Sequence, residues 1–233
     1  TGEYTLERND VEDIIKTQQI DMVVETNETI QNNIYSNEIK VEPFKIIGKD
    51  NRDPVDDVRE TPYSAIVFLL VTYYDGTMSS GTGFVINDNY LATAAHVVYN
   101  AKKIEAYFHV NGTTYDYKYD AIDYEYCSAY PTKKGAGNDW AIVEFEENIG
   151  NKVGKFLIGY TTYDYQLSTM NFAVCGFPGD KKVPNSNGIN GNERYMYRDS
   201  SSIYSYTADV LYYMADTNTD ITPLFETILN HNP

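Results

Sequence analysis

Of the three histidines in the chain, His96 sits in the setting best suited to proton transfer. It lies in Leu91-Ala92-Thr93-Ala94-Ala95-His96-Val97-Val98, at the end of a short apolar run, where small neighbours let other segments approach the imidazole. His109 alternates within a predicted strand and His231 lies in the tail, so neither has a comparable setting. Further along, Asp139 opens Asp139-Trp140-Ala141-Ile142-Val143 after a loop. A carboxylate partly buried at such a junction needs a donor. A neutral imidazole takes the proton of a hydroxyl within hydrogen-bond reach, and a carboxylate behind it holds the tautomer and stabilises the imidazolium. His96 and Asp139 are of the right types for those two roles. Taken singly, each also has a plainer reading: a satisfied core histidine, and an Asx turn at a strand start.

The elements that must carry these residues read as β from Ile46 onward. Ala65–Tyr74 is a β-branched and aromatic run ended by Asp75-Gly76. Gly83–Ile86 closes at Asn87-Asp88-Asn89, and Leu91–Thr93 forms a third short strand. Ile104–Val110 turns at Asn111-Gly112 into Thr113–Tyr119, a strong hairpin signal. Asp139–Phe145, Met170–Cys175 and Val210–Met214 read as further strands, while Thr132–Asn138 and Lys181–Asn192 read as polar loops. Many short strands with frequent turns predict a barrel or sandwich. Thr222-Pro223-Leu224-Phe225 opens a short C-terminal helix, with threonine at the cap and proline at the first helical position.

Residues 1–45 differ in kind. They carry ten acids and four bases and no glycine after Gly2. Their apolar residues, Val11, Ile14, Ile15, Ile20 and Met22 to Val24, suit packing against a neighbour better than building a core. Over the whole chain, 34 acidic against 18 basic side chains give a net charge of −16. Nothing in that balance would neutralise phosphates, so nucleic acid is not an expected partner, and an anionic membrane surface is disfavoured. The longest apolar run, Ala65–Val71, falls far short of the roughly 20 residues of a membrane span. The sequence opens at Thr1 with no basic-then-apolar stretch; a secreted protein without its leader and a cytosolic one both read this way. Cys127 and Cys175 allow one disulfide, and two free thiols, with Cys175 packed in a strand, is the simpler expectation. The 23 tyrosines predict a tyrosine-rich β surface, with carbohydrate stacking the alternative use. Asp116, Asp120 and Asp123 fit no calcium-loop pattern. No nucleotide loop or zinc-ligand spacing occurs, and no metal or cofactor is expected.

Taken together, Gly81-Thr82-Gly83-Phe84-Val85-Ile86, Thr93-Ala94-Ala95-His96, Asn138-Asp139-Trp140-Ala141-Ile142-Val143 and Gly176-Phe177-Pro178-Gly179-Asp180-Lys181 resemble, in order and spacing, the trypsin-like serine endopeptidases. Within them they look most like the bacterial glutamyl endopeptidase branch. Ile46-Ile47-Gly48-Lys49-Asp50-Asn51-Arg52 is similar to the mature amino terminus of that branch. The resemblance implies two antiparallel β-barrels with a terminal helix, over about residues 46–125 and 126–217, the second barrel incomplete, followed by a helical segment at 218–233. It implies that His96 is the general base and Asp139 the acid that orients it.

The family's Gly-x-Ser-Gly-x-Pro loop supplies nucleophile and oxyanion amides. Tyr212-Tyr213-Met214-Ala215-Asp216-Thr217 resembles the strand leading to it, but Asn218-Thr219-Asp220-Ile221-Thr222 follows in its place. Ser200, Ser201 and Ser202 read as a polar loop upstream of that strand. Asp220 and Thr222 lack flanking glycines, so none of these is expected to be the nucleophile. Either the natural chain lacks the loop, or residues are missing between Thr217 and Asp220; the family-like patterns on both sides favour the second, with a spatial break near Asn218. The resemblance also makes residues 1–45 a propeptide, cut by an activating protease between Lys45 and Ile46. The new α-ammonium, with a pKa of roughly 7.7–8.0, would read a substrate carboxylate together with Thr217. The expected protein is therefore a secreted serine endopeptidase in precursor form, acting on polypeptides with a preference for acidic residues. A catalytically silent homologue that binds peptides, and a surface adhesion module, are the alternatives.

Overall fold

A computed structural model describes residues 49–158, 171–206, 211–213 and 215–216, all within the compact unit Phe44–Pro233. The expected propeptide, the cleavage site Lys45–Ile46, Thr217, the nucleophile region and the terminal helix lie outside the described residues.

The fold is mostly antiparallel β. Strand β1 is Asp53–Pro54, β2 Ile66–Tyr73, β3 Met78–Val85 and β4 Tyr90–Thr93; a single helical turn, α1, covers Ala95–Val98. Then come β5 (Ala101–Phe108), β6 (Tyr117–Asp120), β7 (Asp123–Tyr126), β8 (Ala141–Glu144) and the short helix α2 (Gly150–Val153). Strands β9 (Asn171–Gly176), β10 (Val183–Ile189), β11 (Asn192–Glu193), β12 (Tyr197–Tyr206) and β13 (Leu211–Tyr213) follow.

The apolar run of β2 is buried on both faces, and its period of two sorts it between two cores. Val67, Leu69 and Val71 join Val85, Leu91, Val143 and Phe145 inside the first sheet. Ile66, Phe68 and Leu70 face Tyr107, Phe177, Ile189 and Met196 on its other side. The turn after β2 is the one its sequence predicts: Gly76 has φ +83°, and Asp75 Oδ1 accepts the backbone N–H of Thr77 at 2.9 Å.

The first sheet has seven strands in the order β6-β5-β2-β3-β4-β8-β7. Its two edges, β6 and β7, are separated in sequence only by Ala121 and Ile122. Ala121 N–H donates to Ile104 and Ile122 N–H to Glu144, each at 2.9 Å, so the chain passes directly from one edge of the curled sheet to the other. Strand pairing therefore carries the first sheet through β8 to Glu144, past the expected boundary at 125–126, which falls within β7.

The second sheet is organised on β12. That strand pairs with β9 from Tyr197 to Ser202 on one side, and with β1 and then β13 on the other. Among the described residues this sheet does not close into a barrel. Ser200, Ser201 and Ser202 are thus strand residues, not the polar loop their composition predicts, because pairing with Ala173, Phe172 and Asn171 of β9 dictates the backbone. Lys181–Asn192, also expected as a loop, forms most of the β10–β11 hairpin. Strand β5 stops at Phe108, short of the predicted Val110, because His109 takes φ +57° and breaks the extended run. The Asn111-Gly112 turn forms as expected, with Gly112 at φ +66°. Both cysteines are free thiols, Cys175 in β9. Among the described residues no helix is long and apolar enough to cross a membrane.

Candidate active site

His96 follows the end of β4 and Asp139 precedes the start of β8. These strands pair antiparallel with Thr93 opposite Ala141, so one register brings the two ends together. The approach needs small, tightly held residues. Thr93, Ala94 and Ala95 are fully buried, and Thr93 Oγ1 donates to the Thr82 carbonyl at 2.9 Å. Turn α1 then lies against Gly81: a Cβ there would stand 2.8 Å from both Cγ atoms of Val97. Tyr73 Oη donates to the Val97 carbonyl at 2.9 Å and holds the other side of the turn.

Both carboxylate oxygens of Asp139 are used on His96. Oδ1 accepts the His96 backbone N–H at 2.8 Å, and Oδ2 lies 2.6 Å from Nδ1. A carboxylate accepts only, so Nδ1 carries the proton and the lone pair of the neutral ring sits on Nε2. The main-chain bond fixes the carboxylate relative to the histidine's own backbone, which leaves the ring little freedom about its axis. The His96 side chain is 38% exposed and that of Asp139 24%, so the pair stays open to solvent and to a substrate.

Aromatic residues form one flank. Tyr99 packs edge-on against Tyr126 and Tyr130, and Lys134 Nζ lies 5.7 Å from the Tyr99 ring centre and 5.9 Å from that of Tyr130. Burial, and then the nearby Asp139 charge, push the Tyr130 hydroxyl above its ordinary pKa, so it stays a neutral donor at physiological pH. Thr82 ties the first sheet to the second, its Oγ1 accepting the Phe177 N–H at 3.0 Å. Among the described residues no group of three or more His, Cys, Asp or Glu could hold a metal ion.

Of the residues expected to form the site, the structure joins His96 and Asp139. Ile46, Lys45 and Thr217 lie outside the described residues. Tyr73 and Thr82, which brace the site, went unrecognised in the sequence. Each looks like an ordinary strand residue, and only the fold shows what its hydroxyl reaches.

The family model described as Trypsin matches residues 58–176, the stretch from before β2 through β9 that contains His96 and Asp139. The chain belongs to the trypsin family. Within the trypsin family it is similar to the glutamyl endopeptidase of Bacillus licheniformis, 33% identical over 143 residues, which cover 58% of this chain and 43% of that protein. A Bacillus subtilis protein named extracellular metalloprotease is 30% identical over 185 residues, covering 76% of this chain and 55% of its own. The chain spans about half the length of the curated relatives it matches. Among solved structures, a Glu endopeptidase in complex with MPD superposes with a TM-score of 0.63 at 27% identity, covering 76% of this chain and 79% of that one. These likenesses agree with the order of trypsin-family motifs described above and with the seven-stranded antiparallel first sheet.

Proposed function

We propose that this chain is the barrel body of a secreted serine endopeptidase of the glutamyl type, made as a precursor. The observation that carries the reading is the double hydrogen bond from Asp139 to the backbone and ring of His96. In that arrangement His96 Nε2 accepts the proton of a serine hydroxyl as it attacks the scissile carbonyl, and later returns it to the leaving amine. Asp139 holds the tautomer and stabilises the imidazolium between the two transfers. A water then attacks the acyl intermediate by the same route in reverse. The serine and the oxyanion amides belong, on this reading, to a Gly-x-Ser-Gly segment after Thr217. Preference for acidic side chains rests on the glutamyl relatives, with Thr217 and the α-ammonium of a freed Ile46 as the groups that read the substrate carboxylate. Residues 1–45 are then the propeptide, and cleavage of Lys45–Ile46 by another protease is the activating event.

The test is labelling by a serine-directed diphenyl phosphonate bearing a glutamate side chain, before and after limited trypsin treatment of the natural full-length protein. Label is expected only after cleavage, on a serine C-terminal to Thr217, with parallel hydrolysis of a Glu-containing peptide and little of its Gln counterpart. Absence of label and hydrolysis in the cleaved protein would instead identify a silent homologue.

A further inference from the structure

A buried cation held by half-exposed carboxylates lies away from His96 and Asp139, where the start of the body meets the Gly176–Lys181 turn. The Arg52 side chain is 1% exposed. Its guanidinium is gripped twice: Nε and Nη2 donate to the two oxygens of Asp50 at 2.9 and 3.0 Å. Nη1 and Nη2 donate to the two oxygens of Asp180 at 3.0 and 2.6 Å. Lys181 Nζ adds an ion pair to Asp50 at 2.5 Å, so two cations balance two carboxylates. The backbone on either side is held as well. Asn51 N–H donates to Asp216, itself almost fully buried, at 2.8 Å. Asp53 and Pro54 pair with Arg198 and Tyr197 of β12, and Val55 N–H donates to Met196 at 2.9 Å.

This matters because the segment is rich in bonds that a lysine- or arginine-directed protease recognises: Lys45–Ile46, Lys49–Asp50 and Arg52–Asp53 follow one another within a few residues. Such a protease must draw an extended stretch of substrate backbone into its cleft and take the basic side chain into a pocket. Arg52 offers neither, since its side chain is enclosed in a bidentate double clamp and its flanking backbone is committed to Asp216 and β12. The Lys49–Asp50 bond leads directly into the same clamp, because the three residues after it are Asp50, Asn51 and Arg52.

The geometry points to Arg52, held by Asp50 and Asp180, as the positioning residue that stops activating proteolysis short of the body and so decides where the mature chain begins. It rests on the precursor reading above for its biological meaning, and its physical content stands apart from it. The clamp joins residue 52 to residue 180 across the sheet, and it also sets the reach of the new amino terminus. Ile46 is five residues before Asn51, which is tied to Asp216, so a freed amine at Ile46 can lie no more than about 18 Å along an extended chain from that tie. A terminus cut at Asp53 would lack both the clamp and that tie.

The experiment is limited trypsin digestion of the full chain with intact-mass identification of the products. The variants are Asp180→Asn and Arg52→Lys. Position 180 is remote in sequence from the bonds cut, so its substitution leaves the local cleavage sequence unchanged. Arg52→Lys keeps a cleavable side chain and removes the fork. The native protein is expected to give a product beginning at Ile46 and none beginning at Asp50 or Asp53, while the heat-unfolded chain is cut at all three bonds. Either variant is expected to raise the rate of cutting at residue 52 by at least about tenfold, because cutting tracks the population of the opened segment. Cutting elsewhere in the barrel, after Lys102, Lys103 or Arg194 for example, should stay unchanged. Rapid cutting after Arg52 in the native protein, or a protected residue 52 in Asp180→Asn, overturns the proposal. If a variant is digested throughout, hydrogen exchange of the native protein decides: slow exchange at 51–55 supports the clamp and fast exchange overturns it. Protection of Arg52 with no cut at Lys45 supports the clamp while refuting activation at Lys45–Ile46. Failure of the catalytic reading is seen separately, in phosphonate labelling.

Discussion

Replacing Gly81 by alanine tests whether the close fit beneath the His96 turn is what holds the pair in place. The new Cβ would stand 2.8 Å from Cγ1 and 2.8 Å from Cγ2 of Val97. Carbon atoms settle at about 3.5–4.0 Å, so roughly 0.7 Å or more of separation must be found. Val97 cannot supply it by rotating: it is branched at Cβ, 3% exposed, and sits in a helical turn where one rotamer dominates. The turn itself must recede from β3. Overpacking of this kind costs about 1–3 kcal/mol, which for a chain of this size lowers the melting temperature by roughly 2–12 °C. The same displacement would stretch contacts of 2.6 and 2.8 Å between His96 and Asp139 to the limit of a hydrogen bond. Catalysis should then fall on the order of 10–100-fold, since misplacement of about 1 Å is worth about 100-fold. Thermal melts, the NMR signal of the His96 Nδ1 proton, and phosphonate labelling rates read the three consequences. Gly135→Ala is the control, because nothing lies within 4 Å of its would-be Cβ. A Gly81→Ala protein with native melting, an unshifted Nδ1 proton and native labelling would refute the reasoning.

Asp139→Asn should fold normally and lower kcat by about 10⁴-fold, because the amide can no longer hold the proton on Nδ1; retention of activity within tenfold would remove Asp139 from the role. Thr82→Val should cost about 1–3 kcal/mol in urea unfolding, since the buried Phe177 N–H loses its acceptor, and Thr82→Ser should recover most of it. Burial pushes the Cys175 thiol up to about 12, so Ellman's reagent at pH 8 should leave it unmodified until the protein is unfolded; native reaction of both thiols would contradict its packing. The side-chain hydrogen bonds from Arg52 are the main cause holding Asp50 and Asp180 below their ordinary pKa values. Groups depressed in this way stabilise the fold above their unfolded pKa, about 3.9, and lose that contribution as pH falls through the folded value. The melting difference between native protein and Asp180→Asn should therefore persist down to about pH 4 and shrink only below it. A difference that vanishes between pH 7 and pH 5 would mean other groups carry it.

Much of this protein is written locally. The β-branched and aromatic run of β2 marks it as a strand, and its unbroken apolar stretch suits burial on both faces. The Asp75-Gly76 and Asn111-Gly112 turns announce themselves through the residue types that tolerate positive φ. The small residues before His96 and the apolar run after Asp139 mark the two ends that antiparallel pairing then joins. All of these are short-range patterns, and short-range physics suffices to read them. The serines of β12 show the limit: they have no strand propensity worth the name, and β9 imposes one through backbone pairing. The tertiary structure alone decided that β6 and β7 form the two edges of one sheet, that Val97 needs the absence of a Cβ at Gly81, and that Arg52 belongs to Asp180. Arg52 and Asp180 are 128 residues apart, and among 34 acidic side chains no local rule picks that one. Ion pairing has no sequence period, so its partners emerge only when packing excludes water and leaves a buried cation one set of carboxylates to meet.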